Sequence, residues 1–416
     1  MPPNTTSTRY GRPFRPLPIR LANLILPTAK LRPEQLRAAA QHKEHLSDFG
    51  APPVEEALGH LCDSINSEAA LHPVGAMLIR RRLTNLLRNR LRAQAMLQAD
   101  PQIAEHAIRS PVIITGLHRS GTSLLHRLLA DDPRFRALRS FEGLNPMPLR
   151  PGSIGKRDPR RRMTSRAERG IRYLAPDFFA VHPLEAEGLE EDILLLDYSL
   201  LSTVAEATMR VPSFANWAEQ QNQTPAYQTL RTLLQLLDAQ EPAKQSAKHS
   251  DKRWLLKTPH HLEWLDVLFA EFPDAKIIWT HRDPIITVAS LCSMVSHAYG
   301  IMSDVVDPHE IGRHWSRKIG RMMDRAVAYR DQAGDQAFLD INYDDLVADP
   351  IGQVRRTEQF LGWNFPNKTE SGMRDRLVQH QRHRYGKHIY RLEDFGLDEA
   401  ELKERYSGYR ERFGFV

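Results

Sequence analysis

The 416-residue sequence contains only two cysteines, Cys62 and Cys292. They lie far apart and without metal-ligand spacing, so no disulfide framework is expected and a reducing compartment is favoured. No run of about 18 uninterrupted apolar residues occurs, which argues against a transmembrane helix. The proline-rich start also lacks the apolar core of a secretory signal. We therefore predict a cytoplasmic protein.

The composition is that of an ordinary globular protein, with 41% hydrophobic and 26% charged residues. The length fits two or three domains, or one large α/β domain with a helical extension. The formal net charge of +6 favours an anionic ligand or an acidic surface, without selecting nucleic acid.

A stretch over residues 111–132 organises the chain. Its apolar start, Val112-Ile113-Ile114, predicts a buried strand that ends at Gly116. A polar loop of small residues follows, and the leucines after it have the spacing of a buried helix face. A strand, such a loop and a helix together direct backbone N–H groups and a helix N-terminus at a phosphate-like anion.

Two glycines, Gly116 and Gly121, match the nucleotide-binding P-loop pattern G-x-x-x-x-G-K-[ST]. Thr122 stands where that pattern has its lysine, which contacts the terminal phosphates of a triphosphate. The cation in this loop is Arg119 instead. The loop is therefore suited to an anion but poorly suited to Mg-ATP, and a plain turn before a helix is the alternative.

Strands alternate with helices from residue 111 to residue 361, with a second strand expected at Phe135–Phe141. This alternation predicts an α/β fold with a P-loop-like parallel sheet flanked by helices and a helical N-terminal extension. The basic segment 155–169 is expected to be a solvated loop or a lid over an anionic ligand. The predicted parts are an extended arm (1–25), a helical extension (26–110), the α/β core (111–361) with a helical insertion that shapes the acceptor pocket (155–240), and a basic C-terminal segment (362–416).

Four charged side chains fall at or just past predicted strand ends, where parallel sheets bind ligands: Arg119, Glu142, Lys257 and Arg282. Thr258 and Pro259 are typical of an N-cap and a first helical position. They place His260 and His261 in the first turn of a helix, where the helix dipole and Lys257 favour a neutral imidazole that could act as a base.

Three motifs in this order resemble the sulfotransferases that use 3′-phosphoadenosine 5′-phosphosulfate (PAPS). The first resembles the family's 5′-phosphosulfate loop in its arginine-bearing, bacterial-like branch and comprises Arg119, Ser120, Gly121, Thr122 and Ser123. Arg282 and Ser290, eight residues apart, resemble the site for the 3′-phosphate. The run from Tyr343 to Pro350 is similar to a strand-to-helix connection of the family.

The resemblance implies catalysis without a metal, because a sulfuryl group in transfer carries less negative charge than a phosphoryl group. It implies that Lys257 interacts with the leaving sulfate ester. Two interpretations of the base stay open, His260 or His261 on one side and Glu142 on the other, with a slight preference for Glu142. Pro259 separates the histidines from Lys257-Thr258, unlike the cytosolic members. A C-terminal basic loop is expected to reach the 3′-phosphate through Arg384 and Lys387.

We therefore predict a PAPS-dependent sulfotransferase acting on a hydroxyl of a sugar, a lipid or a small molecule. A P-loop kinase using a nucleoside triphosphate and magnesium is the alternative. A nucleic-acid-binding module is a third hypothesis, but no motif for reading RNA or DNA is present, and no nucleic-acid partner is predicted. The basic helix over residues 77–92 could contact a membrane surface or pack within its own domain. The oligomeric state is left open.

Overall fold

The computed structural model describes residues 10, 14–149, 153–155, 158–181, 185–241, 252–364, 373–374, 377 and 390–415. Five parallel strands form a single sheet at its centre: β1 (Val112–Gly116), β2 (Phe135–Ala137), β3 (Arg253–Lys257), β4 (Lys276–His281) and β5 (Phe338–Asn342). Their order in the sheet is β2-β3-β1-β4-β5. The prediction of a parallel α/β fold is confirmed.

The position of β1 in the sheet determines where the site lies. All five residues of β1 are buried, as its β-branched composition predicts for a central strand. Ile114 is in register with Lys257 of β3, and Gly116 with Thr280 of β4. Parallel strands end at one edge, so the loop after β1 lies between the ends of β3 and β4.

Helices cover both faces of the sheet and build the N-terminal part. The first four are α1 (Leu17–Ile25), α2 (Pro33–Glu44), α3 (Glu55–Glu68) and α4 (Pro73–Ala99). Between β1 and β3 the helices are α5 (Thr122–Leu129), α6 (Ser140–Leu144), α7 (Pro159–Leu174), α8 (Pro176–Val181), α9 (Ile193–Leu196), α10 (Val204–Thr208), α11 (Pro212–Ala218) and α12 (Thr224–Ala239). In the part of the chain that the structure describes, the remaining helices are α13 (Leu265–Glu271), α14 (Pro284–Met302), α15 (Pro308–Ala333), α16 (Tyr343–Ala348), α17 (Pro350–Phe360), α18 (Glu399–Arg405) and α19 (Ser407–Arg412).

Alternate residues of β1 enter two different hydrophobic cores, as the twofold period of a strand requires. Val112 and Ile114 pack in a core with α5 and α17, whereas Ile113 joins the larger core that extends through α4, α12, α14 and α15. Among the described helices, α14 alone is long and apolar enough to cross a membrane, but 72% of it is buried within the protein. It therefore has the character of a core helix.

Three local predictions are wrong. Residues 17–25 form α1 and not an extended arm, because Pro16 and Pro18 stand at the helix start, where proline is tolerated. The second strand ends at Ala137, and α6 follows it. Within 155–169, residues from Pro159 onward are helical, since Asp158 caps α7 by accepting from the Arg160 backbone N–H at 2.9 Å.

The arginines of α4 contact other parts of the same chain. Arg82 pairs with Asp197, and Arg92 Nε lies 2.8 Å from Glu44 Oε2. Arg90 is buried and donates to a backbone carbonyl at 3.0 Å. These contacts favour the second interpretation of residues 77–92, a helix packed within its own domain.

Candidate active site

The turn after β1 depends on a glycine at its start. Gly116 has a φ of +148°, and a Cβ added there would overlap the hydroxyl and carbonyl oxygens of Thr280 on β4. It would also come within 2.9 Å of the Ser120 hydroxyl. The two strands can therefore end side by side only if residue 116 has no side chain.

We expect Gly116→Ala to lower the free energy of unfolding by about 3 kcal/mol, the combined cost of overpacking and a left-handed backbone. Gly59→Ala is the matched control, because a Cβ at this helical position meets no atom within 4 Å. Replacing a mid-helix glycine should instead raise stability by about 0.5–1 kcal/mol. Urea unfolding measures both changes, and equal stability of the two variants would contradict the assigned role of Gly116.

Ser120 holds the loop in shape. Its hydroxyl is buried and lies 2.6 Å from the Leu117 carbonyl oxygen and 2.7 Å from the Thr280 hydroxyl. Its backbone N–H also donates to the Leu117 carbonyl, at 3.2 Å. These groups fasten the loop to β4, and a contact of Ser120 with the donor stays a prediction.

Arg119 and Arg282 lie together at the carboxyl edge of the sheet. Arg119 adopts a left-handed φ of +69°, and its carbonyl oxygen accepts a hydrogen bond from Arg282 Nη1 at 2.9 Å. The Arg282 guanidinium also stacks on the ring of Tyr343, 4.0 Å from the ring centroid. The expectation that these two segments meet is confirmed, and the Arg282 guanidinium therefore borders the loop that carries Arg119.

The loop leads directly into the N-terminus of α5. Gly121 is its N-cap, with a φ of +93° and no side-chain cap. The N–H groups of Thr122 and Ser123 have no carbonyl partner within the helix, and the helix dipole places partial positive charge there. Ser123 is exposed and Thr122 is buried. Ser290 is buried in α14, whose N-terminus follows Arg282 by two residues.

Lys257 connects this loop to an acidic segment. It is buried at the end of β3, and its Nζ lies 3.5 Å from the Ser123 hydroxyl and forms an ion pair with Glu191. Its backbone N–H donates to Asp192 Oδ1 at 2.8 Å. A cation, a carboxylate and a helix N-terminus therefore converge at one place.

Sequence reasoning missed Glu191 as a site residue. The segment carrying it lies beside the end of β2, where Ser140 N–H donates to the Gly188 carbonyl and Glu190 N–H donates to the Leu138 carbonyl, each at 3.0 Å. These bonds bring residues 188–192 to the edge of the sheet. The only signal in the sequence is that Glu191 belongs to a run of acidic residues.

The two histidines after β3 are buried. His261 Nε2 lies 2.9 Å from Asp192 Oδ2, and its Nδ1 lies 2.9 Å from the Tyr227 hydroxyl. Both ring nitrogens are engaged inside the protein, which does not favour His261 as the base. Neither ring nitrogen of His260 has a hydrogen-bond partner among the described residues, and burial lowers its pKa to about 3.

Buried histidines make the protein sensitive to acid. Burial lowers the pKa of His260 and of His126 to about 3, so both stay neutral in the folded chain at pH 5. Unfolded histidines take up protons below about pH 6.5. The unfolded state then binds more protons, and the free energy of unfolding should fall by about 2 kcal/mol per histidine between pH 7 and pH 5.

Urea unfolding at pH 7 and pH 5 measures this loss. His260→Leu should reduce the difference between the two pH values by about 2 kcal/mol, the contribution of one such histidine. His42→Leu, at an exposed site, is the control and should leave the difference unchanged. If His260→Leu keeps the full difference, His260 does not stay neutral in the folded chain.

Glu142 is engaged at the start of α6. Its Oε2 accepts from the Arg139 backbone N–H at 3.0 Å, completing a capping box, and its Oε1 lies 3.5 Å from Arg136 Nη2. The structure therefore does not bring Glu142 together with Lys257. The carboxylate that it does place there is Glu191.

The C-terminal part of the chain packs against the last residue of β4. His281, the last residue of β4, lies 2.8 Å from the Tyr409 hydroxyl through Nδ1 and 2.8 Å from Asp340 Oδ1 through Nε2. Its ring stacks on Phe413 with the centroids 3.9 Å apart.

Arg384 and Lys387 lie outside the described residues. Within the described ranges, no group of three or more His, Cys, Asp or Glu side chains has the arrangement of a metal site.

Comparison with known proteins identifies what this chain is similar to. The model of the sulfotransferase family matches residues 111–367. Two curated relatives, named omega-hydroxy-beta-dihydromenaquinone-9 sulfotransferases of Mycobacterium bovis and Mycobacterium tuberculosis, are 25% identical over 284 residues. That alignment covers 63% of this chain and 65% of the relatives' own length, slightly less than two thirds.

Two solved structures share the fold over nearly the whole chain. Sulfotransferase STF1 of M. tuberculosis is 32% identical, with a TM-score of 0.79, and the match covers 92% of this chain and all of that one. Sulfotransferase STF9 of Mycobacterium avium is 26% identical, with a TM-score of 0.80, and the match covers 91% of this chain and 96% of that one.

Proposed function

Because this chain belongs to the sulfotransferase family, we propose that it transfers a sulfuryl group from PAPS to a hydroxyl group of an acceptor. The family prediction made from the motifs is confirmed. The observation that carries the proposal is the 2.9 Å contact between Arg282 and the Arg119 carbonyl, which joins the two segments expected to bind the two ends of the donor. The kinase alternative finds no support in these comparisons.

The residues present fit such a donor. The N–H groups of Thr122 and Ser123 would bind the 5′-phosphosulfate, because they lie at the positive end of α5. The Arg282 guanidinium would bind the 3′-phosphate through two parallel hydrogen bonds, with the Ser290 hydroxyl as a second contact. Arg384 and Lys387 remain predicted contributors to the same phosphate.

In the proposed reaction, the acceptor oxygen forms a bond to sulfur while the bond from sulfur to the 5′-phosphate oxygen breaks. The proton of the acceptor hydroxyl passes to Glu191. Lys257 lies between Glu191 and Ser123 and would balance the charge that develops on the departing phosphate. No step requires a metal, so activity should persist in EDTA.

We propose a lipid hydroxyl as the acceptor, in preference to a sugar or a small molecule. The support is the name of the two curated relatives, which describes a hydroxylated menaquinone derivative. Transfer of radioactive sulfate from PAPS to an ω-hydroxylated polyisoprenyl quinone, compared with a monosaccharide, tests the acceptor. Transfer to the monosaccharide alone would refute the lipid proposal and leave the sulfotransferase activity intact.

Donor binding tests the function independently of the acceptor. Calorimetry should show that 3′-phosphoadenosine 5′-phosphate binds at least about tenfold more tightly than adenosine 5′-phosphate, because only the former carries the 3′-phosphate. The same preference should hold in EDTA. Equal affinity for the two nucleotides, or binding only of Mg-ATP, would overturn the proposal.

A further inference from the structure

Helix α1 presents a row of aliphatic side chains to solvent. Leu17, Leu21, Leu24 and Ile25 follow the i, i+4, i+7, i+8 spacing of one helix face. All four are exposed, Leu24 and Ile25 by 82% and 80%. No residue of α1 is buried, so this face contributes nothing to the protein core.

The opposite side of α1 is anchored to the protein. The Asn23 side-chain oxygen accepts from the Val74 backbone N–H at 3.0 Å, which ties α1 to the start of α4. Just before the helix, Arg15 donates to the Ser303 carbonyl at 2.7 Å and pairs with Asp304 at 3.0 Å. The aliphatic face therefore points outward from a helix held at both ends.

Exposed cations lie on α1 and in the residues that flank it. Residues 1–33 contain six arginines and lysines and no aspartate or glutamate. Arg20, on α1 itself, and Lys30 and Arg32 beyond its end are all exposed. On α4, which packs against α1, Met77 adds another exposed apolar side chain, and Arg81 follows it one turn later.

We propose that α1 lies in the interface of an anionic lipid bilayer, with its aliphatic face among the acyl chains and the surrounding cations at the lipid headgroups. Apolar side chains between cations match such a surface in both hydrophobicity and charge. With nine residues, α1 is too short to span a bilayer, which needs about 20. A second copy of the chain fits less well, because pairing two such faces would bring like charges together.

The first nine residues are poorly suited to cover the face themselves. Met1–Arg9 contains no leucine, isoleucine, valine or aromatic residue. This inference is independent of the identity of the acceptor, since it concerns where the enzyme sits and not what it modifies.

Flotation with lipid vesicles tests the proposal. The full chain should float with vesicles containing about 30 mol % phosphatidylglycerol in phosphatidylcholine and much less with pure phosphatidylcholine. Salt at about 0.5 M should weaken binding by screening the cations. Replacing both Leu24 and Ile25 by glutamate should reduce the bound fraction at least about tenfold. Tyr173→Glu is the matched control, at a site 54% exposed on α7, and should bind like the wild type.

Two results would overturn the proposal. The first is that the wild type does not bind anionic vesicles, or that the Leu24/Ile25 variant binds them as well as the wild type does. The second is that light scattering shows a dimer of the wild type that the variant does not form, while neither protein binds vesicles. This result would assign the face to a second copy. Thermal unfolding should be the same for the wild type and the variant, because α1 has no buried residue.

Discussion

Replacing Glu191 by glutamine should lower kcat by about 10²- to 10⁴-fold, the range expected for loss of a general base. The glutamine keeps the size of the side chain but cannot accept the proton of the acceptor hydroxyl at neutral pH. Binding of 3′-phosphoadenosine 5′-phosphate should change little, since Glu191 contacts Lys257 and is not proposed to touch the nucleotide. Steady-state kinetics and calorimetry together separate the two effects.

Glu142→Gln is the matched control for this experiment. In the structure, the Glu142 carboxylate caps α6 and lies beside Arg136. Glutamine keeps an oxygen that can accept from the Arg139 N–H, so the change should cost at most about 1 kcal/mol of stability and little activity. If Glu142→Gln loses activity and Glu191→Gln does not, the base is Glu142, as the resemblance to the family favours. His260→Leu should also leave kcat largely unchanged, because its imidazole is buried.

Replacing Arg282 by alanine should weaken binding of 3′-phosphoadenosine 5′-phosphate by about 10- to 100-fold. The change removes a guanidinium that stacks on Tyr343 and borders the loop at Arg119. Binding of adenosine 5′-phosphate should change much less, because it has no 3′-phosphate to lose a partner. Calorimetry with both nucleotides gives the comparison.

Arg37→Ala removes a different guanidinium, one paired with Glu55 in the N-terminal part of the chain, and should leave both affinities unchanged. A uniform loss of affinity for both nucleotides in Arg282→Ala would indicate a displaced loop, since Arg282 also bonds the Arg119 carbonyl. That outcome would contradict a specific role in binding the 3′-phosphate.

Much of the fold can be predicted because it is encoded locally. The apolar runs at Val112–Gly116 and Lys276–His281 are strands as expected, and Thr258 caps the turn after β3 by accepting from the His260 N–H. That turn is a 3₁₀ helix over Pro259–Glu263. Helices α1 and α7 were harder to predict, because prolines and arginines are frequent in loops as well as at helix starts and on solvated helix faces.

The carboxylate that we propose as the base could not be predicted in this way. Glu191 reaches Lys257 only because residues 188–190 lie beside the end of β2, about 50 residues earlier in the chain. Nothing in the local pattern selects this acid over its acidic neighbours. In the same way, the bond to Asp192 holds His261 inside the protein, although its expected place in a helix first turn made it a candidate base.

The C-terminal part of the chain packs against the end of β4 and so supports the residue directly before Arg282. His281 precedes Arg282 directly and is held by Tyr409 and Phe413, close to the carboxyl end. A protease that clipped the chain just before Tyr409 would therefore loosen the proposed donor site without cutting any residue named in it. Nucleotide affinity would then report whether a preparation has kept its carboxyl end intact.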